Sequence, residues 1–68
     1  MKQANDLSPA EEQIALLLIR GISNARQIAK LRDLSHNTVR THLRGIYRKL
    51  GVHDSTAAAV KLLTGRVG

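Results

Sequence analysis

The sequence predicts an all-α fold, a bundle of four short helices in one domain. Its 68 residues leave room for a single small core. Apolar residues recur at three- and four-residue spacing, and no stretch alternates as a half-buried strand does. Residues that cap helices and glycines that end them separate the apolar segments. We predict a polar N-terminal tail or linker remnant over residues 1–6 and the helical domain over residues 7–68.

The first helix is predicted over residues 9–20. Ser8 and Glu11 have the spacing of a capping box, in which the Ser8 hydroxyl accepts a hydrogen bond from the Glu11 amide. Pro9 suits the first helical position, where its missing N–H group costs nothing. Gly21 is well placed to end the helix.

The second helix is predicted to be short, about two turns. Either Ser23 or Asn24 can cap it, and it stops near Asp33. The turn that follows contains Leu34, which we expect to point inward between the second and third helices.

The third helix begins after its cap, Ser35, and ends at Gly51. Helical spacing of its aliphatic residues predicts a buried stripe made of Val39, Leu43, Ile46 and Leu50. The lone aromatic residue, Tyr47, is expected to be partly buried. Gly45, inside the third helix, should lower the stability of that helix by on the order of 1 kcal/mol relative to alanine. This glycine either permits close approach of another backbone or of DNA, or is a tolerated substitution without a structural role.

The fourth helix is predicted between a cap at Asp54 or Ser55 and a stop at Gly65. Its body is alanine-rich and apolar, which suits packing against the other helices.

The charge balance favours a polyanionic partner. Eleven lysines and arginines against five acids give a formal net charge of +6, and the sequence pI is about 10.9. No acid falls between Asp33 and Asp54. That interval contains four cations, Arg40, Arg44, Arg48 and Lys49. An acid-free basic stretch is typical of a surface that binds nucleic-acid phosphates, although a merely solvated face is the alternative interpretation.

Polar and basic residues lie on the side of the third helix away from its buried stripe. At about 100° per residue, five of them fall between about 100° and about 200° from Val39. Arginine donates two hydrogen bonds to guanine, asparagine pairs with adenine, and a threonine methyl contacts thymine in the major groove. These residue types predict base contacts by Asn37, Arg40, Thr41 and Arg44. We assign the fifth residue, Arg48, to a phosphate contact.

Two helices joined by a short turn, the second longer and carrying such a strip, are typical of a helix-turn-helix. The chain resembles the DNA-binding domain of LuxR-type regulators, also called the GerE or NarL-like domain, from Leu7 to about Val60. The resemblance lies in LSPAE at residues 7–11, GISN at 21–24, IA at 28–29 and LSHNTVRTHLRGIYRKLGV at 34–52. The last block matches the family pattern at Ser35, Thr38, Val39, Arg40, His42, Lys49, Leu50 and Val52.

The resemblance implies a bacterial transcription factor whose third helix enters the major groove of duplex DNA. Positions matching Arg40, Thr41 and Arg44 commonly face bases in such regulators. Phosphate contacts are implied for Asn24, Thr38, His42 and Lys49. The fourth helix often supports a homodimer, so the implied interface lies around Ala58, Leu62 and Leu63. RNA polymerase is a further expected partner. Domains of this type usually follow a receiver or ligand-sensing domain that supplies regulation, and a freestanding small regulator is the alternative.

The chain departs from the family pattern in three ways. It has one extra residue between Asn24 and Ile28, which puts the start of the second helix in doubt. Asp33 replaces a frequent turn glycine, a position that aspartate tolerates. Ser55 and Ala10 replace common arginines.

Other functions fit the sequence less well. A protein-interaction module that docks an acidic partner is the main alternative, and its sign would be an exposed apolar groove. RNA binding is weaker, because single-strand modules stack bases on aromatic residues and Tyr47 is the single one here. A chain this small offers little room for a substrate pocket, so we expect no enzymatic activity and no catalytic residue.

Metals, cofactors and membranes are also not expected. There is no cysteine, and His36 and His42 are about 240° apart on a helix, so they do not form a metal site. We expect no cofactor and no small-molecule ligand in this domain. No apolar segment approaches the length of a membrane span. A cytoplasmic location is therefore expected.

Overall fold

The computed structural model describes residues 7–64, and this part of the chain contains four helices and no strand. Their bounds are α1 Pro9–Ile19, α2 Ala25–Arg32, α3 His36–Leu50 and α4 Ser55–Thr64. The predicted all-α fold is confirmed. The α1 helix ends one residue earlier than expected, because Arg20 serves as its C-cap. The predicted tail and the predicted stop at Gly65 lie outside the described residues.

Side-chain caps begin all four helices. In the capping box of α1, the Glu11 amide donates to Ser8 Oγ at 3.2 Å and the Ser8 amide donates to Glu11 Oε1 at 2.9 Å. The other three caps each accept a hydrogen bond from a backbone amide three residues further along. In α2 the Gln27 amide donates to the Asn24 side chain at 3.0 Å, and in α3 the Thr38 amide donates to the Ser35 side chain at 3.0 Å. In α4 the Ala57 amide donates to the Asp54 side chain at 2.8 Å. Of the alternatives left open by the sequence, Asn24 and Asp54 are therefore the caps.

The turn between α2 and α3 depends on Asp33. Its φ of 56° is left-handed, a conformation that aspartate adopts more readily than most residues. The Leu34 amide then donates to the Ala29 carbonyl at 2.8 Å, which closes the end of α2. The prediction that Leu34 points inward is wrong, since the residue is 37 % exposed. Ile28, Ala29 and Val39 already belong to the buried cluster between these helices.

The α3 helix is the centre of the bundle, since it packs against α1, α2 and α4. The predicted stripe of Val39, Leu43, Ile46 and Leu50 is buried. It meets buried residues from each neighbour, namely Ile14 and Leu18 of α1, Ile28 and Ala29 of α2 and Ala58 of α4. Burial of one full side of α3 determines which of its residues face solvent. No helix within residues 7–64 is long and apolar enough to cross a membrane.

Candidate nucleic-acid interface

The strip predicted on α3 is exposed along its whole length. Solvent reaches all five members, Asn37, Arg40, Thr41, Arg44 and Arg48. None of the three guanidinium groups pairs with a carboxylate in the described part of the chain. Because each is held on a helix whose opposite side is buried, the arginines form a cationic ridge with free hydrogen-bond donors.

Two shallow concave surfaces border this ridge. The first lies between α2 and α3 and is lined by Ala25, His36, Arg40, Leu43, Arg44 and Tyr47. The second runs along the C-terminal part of α3 and the residues after it, and is lined by Arg44, Tyr47, Arg48, Gly51, Val52 and His53. Arg44 and Tyr47 belong to both linings, so the two surfaces are continuous along α3.

Tyr47 is half-buried at the point where the two concave surfaces meet, as the sequence predicted. Burial raises the pKa of its hydroxyl above the ordinary value of 10.0, a hydrogen bond with Ser55 opposes the rise, and the charge of Asp54 adds to it. The hydroxyl therefore keeps its proton at neutral pH and can donate a hydrogen bond there.

The three other polar residues that the sequence singled out lie at the N-cap of α2, in the case of Asn24, and within α3. Asn24 and Thr38 are exposed, and His42 is half-buried. Asn24 caps α2 with its side-chain Oδ1, which leaves the two N–H groups of its side-chain amide available as donors. Thr38 accepts a hydrogen bond from Ser35 Oγ at 2.7 Å. Residues 7–64 bring no three histidine or acidic side chains together in an arrangement that could hold a metal ion.

Comparison with known proteins identifies the chain's relatives. Residues 5–62 match the GerE family of bacterial regulatory proteins, the luxR family. The chain belongs to the luxR family.

Two relatives come from Escherichia coli strain K12. One, described as an HTH-type transcriptional regulator, YhjB, is 36% identical over 62 residues, which cover 91% of this chain and 30% of the relative. The nitrate/nitrite response regulator protein NarP is 37% identical over 60 residues, which cover 88% of this chain and 27% of NarP. The chain thus spans less than a third of either relative. No solved structure matches it with comparable significance.

In this luxR-family domain, Lys49 has a partner that the sequence analysis missed. Its ammonium donates to Glu11 Oε1 at 2.7 Å, across 38 residues of chain. Glu11 is 7 % exposed and also accepts from the Ser8 amide. The phosphate contact of Lys49 stays a prediction, but the structure gives this residue a role in joining α1 to α3. The capping-box glutamate was visible in the sequence, whereas its second partner was not.

Gly45 makes room for this ion pair. A Cβ atom at Gly45 would lie 2.5 Å from Glu11 Oε2. The sequence left open close approach of a backbone or of DNA at this position. The group that approaches is instead the buried carboxylate of Glu11, which accounts for a glycine in the middle of α3.

We expect the Glu11–Lys49 pair to make the domain less stable as pH falls. Burial raises the pKa of Glu11, but Lys49 and Ser8 outweigh it, so the pKa lies below its ordinary value of 4.5. Such a carboxyl stabilises the fold above its unfolded-state pKa, and this contribution is lost as pH falls through the folded-state pKa. Urea unfolding between about pH 6 and about pH 3 should therefore show a falling free energy of unfolding.

A substitution of Lys49 tests whether the Glu11–Lys49 pair causes this pH dependence of stability. Lys49→Met removes the cation and leaves burial opposed by Ser8 alone, so most of the Glu11 contribution to this pH dependence should disappear. Lys30→Met, at an exposed lysine of α2, is the control and should keep the parent's dependence. Identical pH profiles for the parent and Lys49→Met would contradict the assignment.

The implied dimer surface on α4 of the luxR-family domain needs a correction. Ala58 is 0 % exposed and belongs to the core, so it cannot contact a second copy. Leu62, one turn further along, packs partly against the same core. Leu63 and Val60 lie outward, 65% and 55% exposed. The α4 helix packs against α1 and α3 through its Ala58 side, which leaves the other side to solvent.

Proposed function

We propose that this chain is the DNA-binding output domain of a bacterial transcriptional regulator and that it binds duplex DNA sequence-specifically through α3. The observation that carries the proposal is the row of three arginines on the exposed side of α3, none of which pairs with a carboxylate of residues 7–64. Membership of the luxR family and similarity to two regulators support a DNA-binding regulatory role. A protein-interaction module that docks an acidic partner is less well supported, because neither the matching family nor the two relatives are described as such a module.

The proposed complex has α3 in the major groove, which is wide enough to admit a helix. The base contacts are made by Asn37, Arg40, Thr41 and Arg44. The phosphate contacts are made by Asn24, Thr38, His42, Arg48 and Lys49. Lys49 has three N–H donors, so its contact with Glu11 leaves donors for a phosphate.

A second copy of the chain is the proposed protein partner. The exposed apolar residues of α4, Val60 and Leu63, together with the outer side of Leu62, would form the contact. A symmetric dimer presents two recognition helices to two half-sites about one helical turn apart. In the longer regulator, RNA polymerase and a sensing or receiver domain are further proposed partners.

Selection of bound sites from a pool of random duplex DNA, followed by salt titration of the selected site, tests the proposal. A palindromic consensus and a steep loss of affinity with salt are the expected results. A pool that shows no enriched sequence after selection would contradict sequence-specific binding. Binding of an acidic protein in preference to DNA would favour the alternative role.

A single leucine tests the dimer surface. Leu63→Ser should weaken binding to a duplex with two half-sites and leave binding to one half-site unchanged, because it removes an apolar contact between copies. Leu31→Ser on α2, a leucine that is 54% exposed, is the matched control and should change neither affinity. Electrophoretic mobility shift assays measure the affinity of each variant for the duplex with two half-sites and for the duplex with one. Equal weakening on one and two half-sites by Leu63→Ser would count against the α4 interface.

A further inference from the structure

A groove runs between α1 and α4, away from the arginine row. One part of it lies between the end of α1 and the N-terminal part of α4, and the other part lies between the rest of α1 and Leu62. Ile19 lines both parts, so the groove is continuous. None of its lining residues belongs to the two concave surfaces beside α3. A molecule in the groove therefore does not have to cover those surfaces.

Exposed apolar side chains flank this groove. Within residues 7–64, five large apolar side chains are exposed, and three of them belong to α1 or α4. They are Leu16 of α1, which is 54% exposed, and Val60 and Leu63 of α4, which are 55% and 65% exposed. Leu16 and Val60 line the groove, and Leu63 follows Leu62, which also lines it. A contiguous apolar surface of this kind marks a site of protein contact in soluble proteins.

The part of the groove beside Leu16 has room for a leucine side chain. Its volume is about 310 Å³, which is the space of roughly ten water molecules. Leu16, Ile19 and Leu62 supply most of its apolar lining. Leu63, the most exposed large apolar side chain of residues 7–64, comes directly after Leu62. Each copy of the chain thus carries an exposed leucine next to a groove that can accept one.

The charges on this surface match a second copy of the chain. Glu12 is the one charged residue among those that line the groove, and Lys61 is the one charged residue of α4. The α4 helix of a second copy would bring its Lys61 to a groove of opposite charge. An apolar helix with a single base therefore complements an apolar groove with a single acid.

The small size of α4 also requires a contribution from α1. A helix of 10 residues is roughly 15 Å long, and Val60 and Leu63 are its two large exposed side chains. A stable interface takes about 800 Å² from each partner. Contact between two α4 helices alone supplies a small part of this area. The exposed Leu16 and half-buried Ile19 extend the apolar surface onto α1.

We propose that two copies of the chain pack with α4 of each copy in the α1–α4 groove of the other, so that Leu63 of one copy lies against Leu16 of the second. The inference rests on the proposed function, since it defines the contact within the proposed dimer. A two-fold axis makes the same contact twice. Because the groove and the surfaces beside α3 share no residue, both α3 helices stay available for DNA.

A substitution on α1 tests the proposal. Leu16→Ser should lower the affinity for a duplex with two half-sites at least tenfold, because each copy loses a buried leucine contact. The affinity for a duplex with one half-site should stay the same. Leu31→Ser is the matched control, since Leu31 is also 54% exposed but lies on α2. Mobility shifts measure the affinities, and circular dichroism should show the parent's helix content in both variants.

Cross-linking tests the pairing of the two leucines. The chain contains no cysteine, so Leu16→Cys and Leu63→Cys can be made as separate single variants, one of them lengthened by a tag. A disulfide forms only where the two Cα atoms come within about 7 Å. Oxidation of an equal mixture should give the mixed dimer, and oxidation of either variant alone should not. The mixture is oxidised on the duplex with two half-sites and also as the concentrated free chain.

The outcomes separate this inference from the proposed function. If Leu63→Ser weakens binding to two half-sites and Leu16→Ser does not, the proposed dimer stands and the α1 contact is wrong. Cross-links from Leu63→Cys alone, without the mixed dimer, would show that α4 packs against α4 and would overturn the inference. Failure to bind any DNA would reject the proposed function. The mixed dimer of the free chain would then still support the interface, and its absence would reject it.

Discussion

Arg44→Ala should cost about 1–3 kcal/mol of DNA-binding free energy and relax the base preference at one position of the site. Arg44 is exposed in the middle of the arginine row and lines both concave surfaces. Its guanidinium can donate two parallel hydrogen bonds to guanine, and alanine leaves those acceptors without donors. Site selection with the variant, compared with the parent, measures both the affinity and the base preference.

Arg48→Ala is the matched control for this change. Arg48 lies one helical turn further along the same side of α3 and is also exposed. As a phosphate contact, it should weaken binding to all sequences alike and flatten the salt slope by about one unit. If both variants lost affinity equally on every sequence, the assignment of Arg44 to a base would be wrong.

Glu11→Ala should lower the free energy of unfolding by about 2–3 kcal/mol. The change removes the acceptor of the Ser8 amide and the partner of Lys49 together. It also leaves empty space in front of Gly45, where the carboxylate now lies. Since stabilities of small domains begin near about 5 kcal/mol, the loss is a large fraction of the total. Urea unfolding followed by circular dichroism measures it.

Neighbouring substitutions separate the ion pair from general effects of charge. Glu12→Ala removes an exposed acid in the same first turn and should cost less than about 1 kcal/mol. Gly45→Ala improves helix propensity by about 1 kcal/mol. The added methyl group would displace the Glu11 carboxylate. The free energy of unfolding of Gly45→Ala should therefore be lower than the gain in helix propensity alone predicts. Equal effects of Glu11→Ala and Glu12→Ala would refute a special role for the pair.

The fold was predictable because its signals are local. The capping box at Ser8 and the left-handed Gly51 each depend on residues within about one helical turn. The stripe of α3 depends on periodicity within one helix. Leu34 was the exception, since its position depends on how the turn at Asp33 leads into α3.

The site was predictable in part. Exposure of Arg40, Arg44 and Arg48 follows from the stripe on the other side of the same helix. The α4 surface was harder, because this helix is apolar nearly all round and its own sequence does not say which side is inside. Packing against α1 and α3 decides that Ala58 is buried and Leu63 exposed.

By itself, the sequence determined the four helices, the caps of α1 and α3 and the basic side of α3, since hydrogen bonds and periodicity over a few residues suffice for these. Only the tertiary structure decided that Lys49 reaches Glu11, that Gly45 leaves room for the carboxylate, and which side of α4 is free. Those contacts join residues far apart in the chain, and their distances exist only once the helices have packed around the common core.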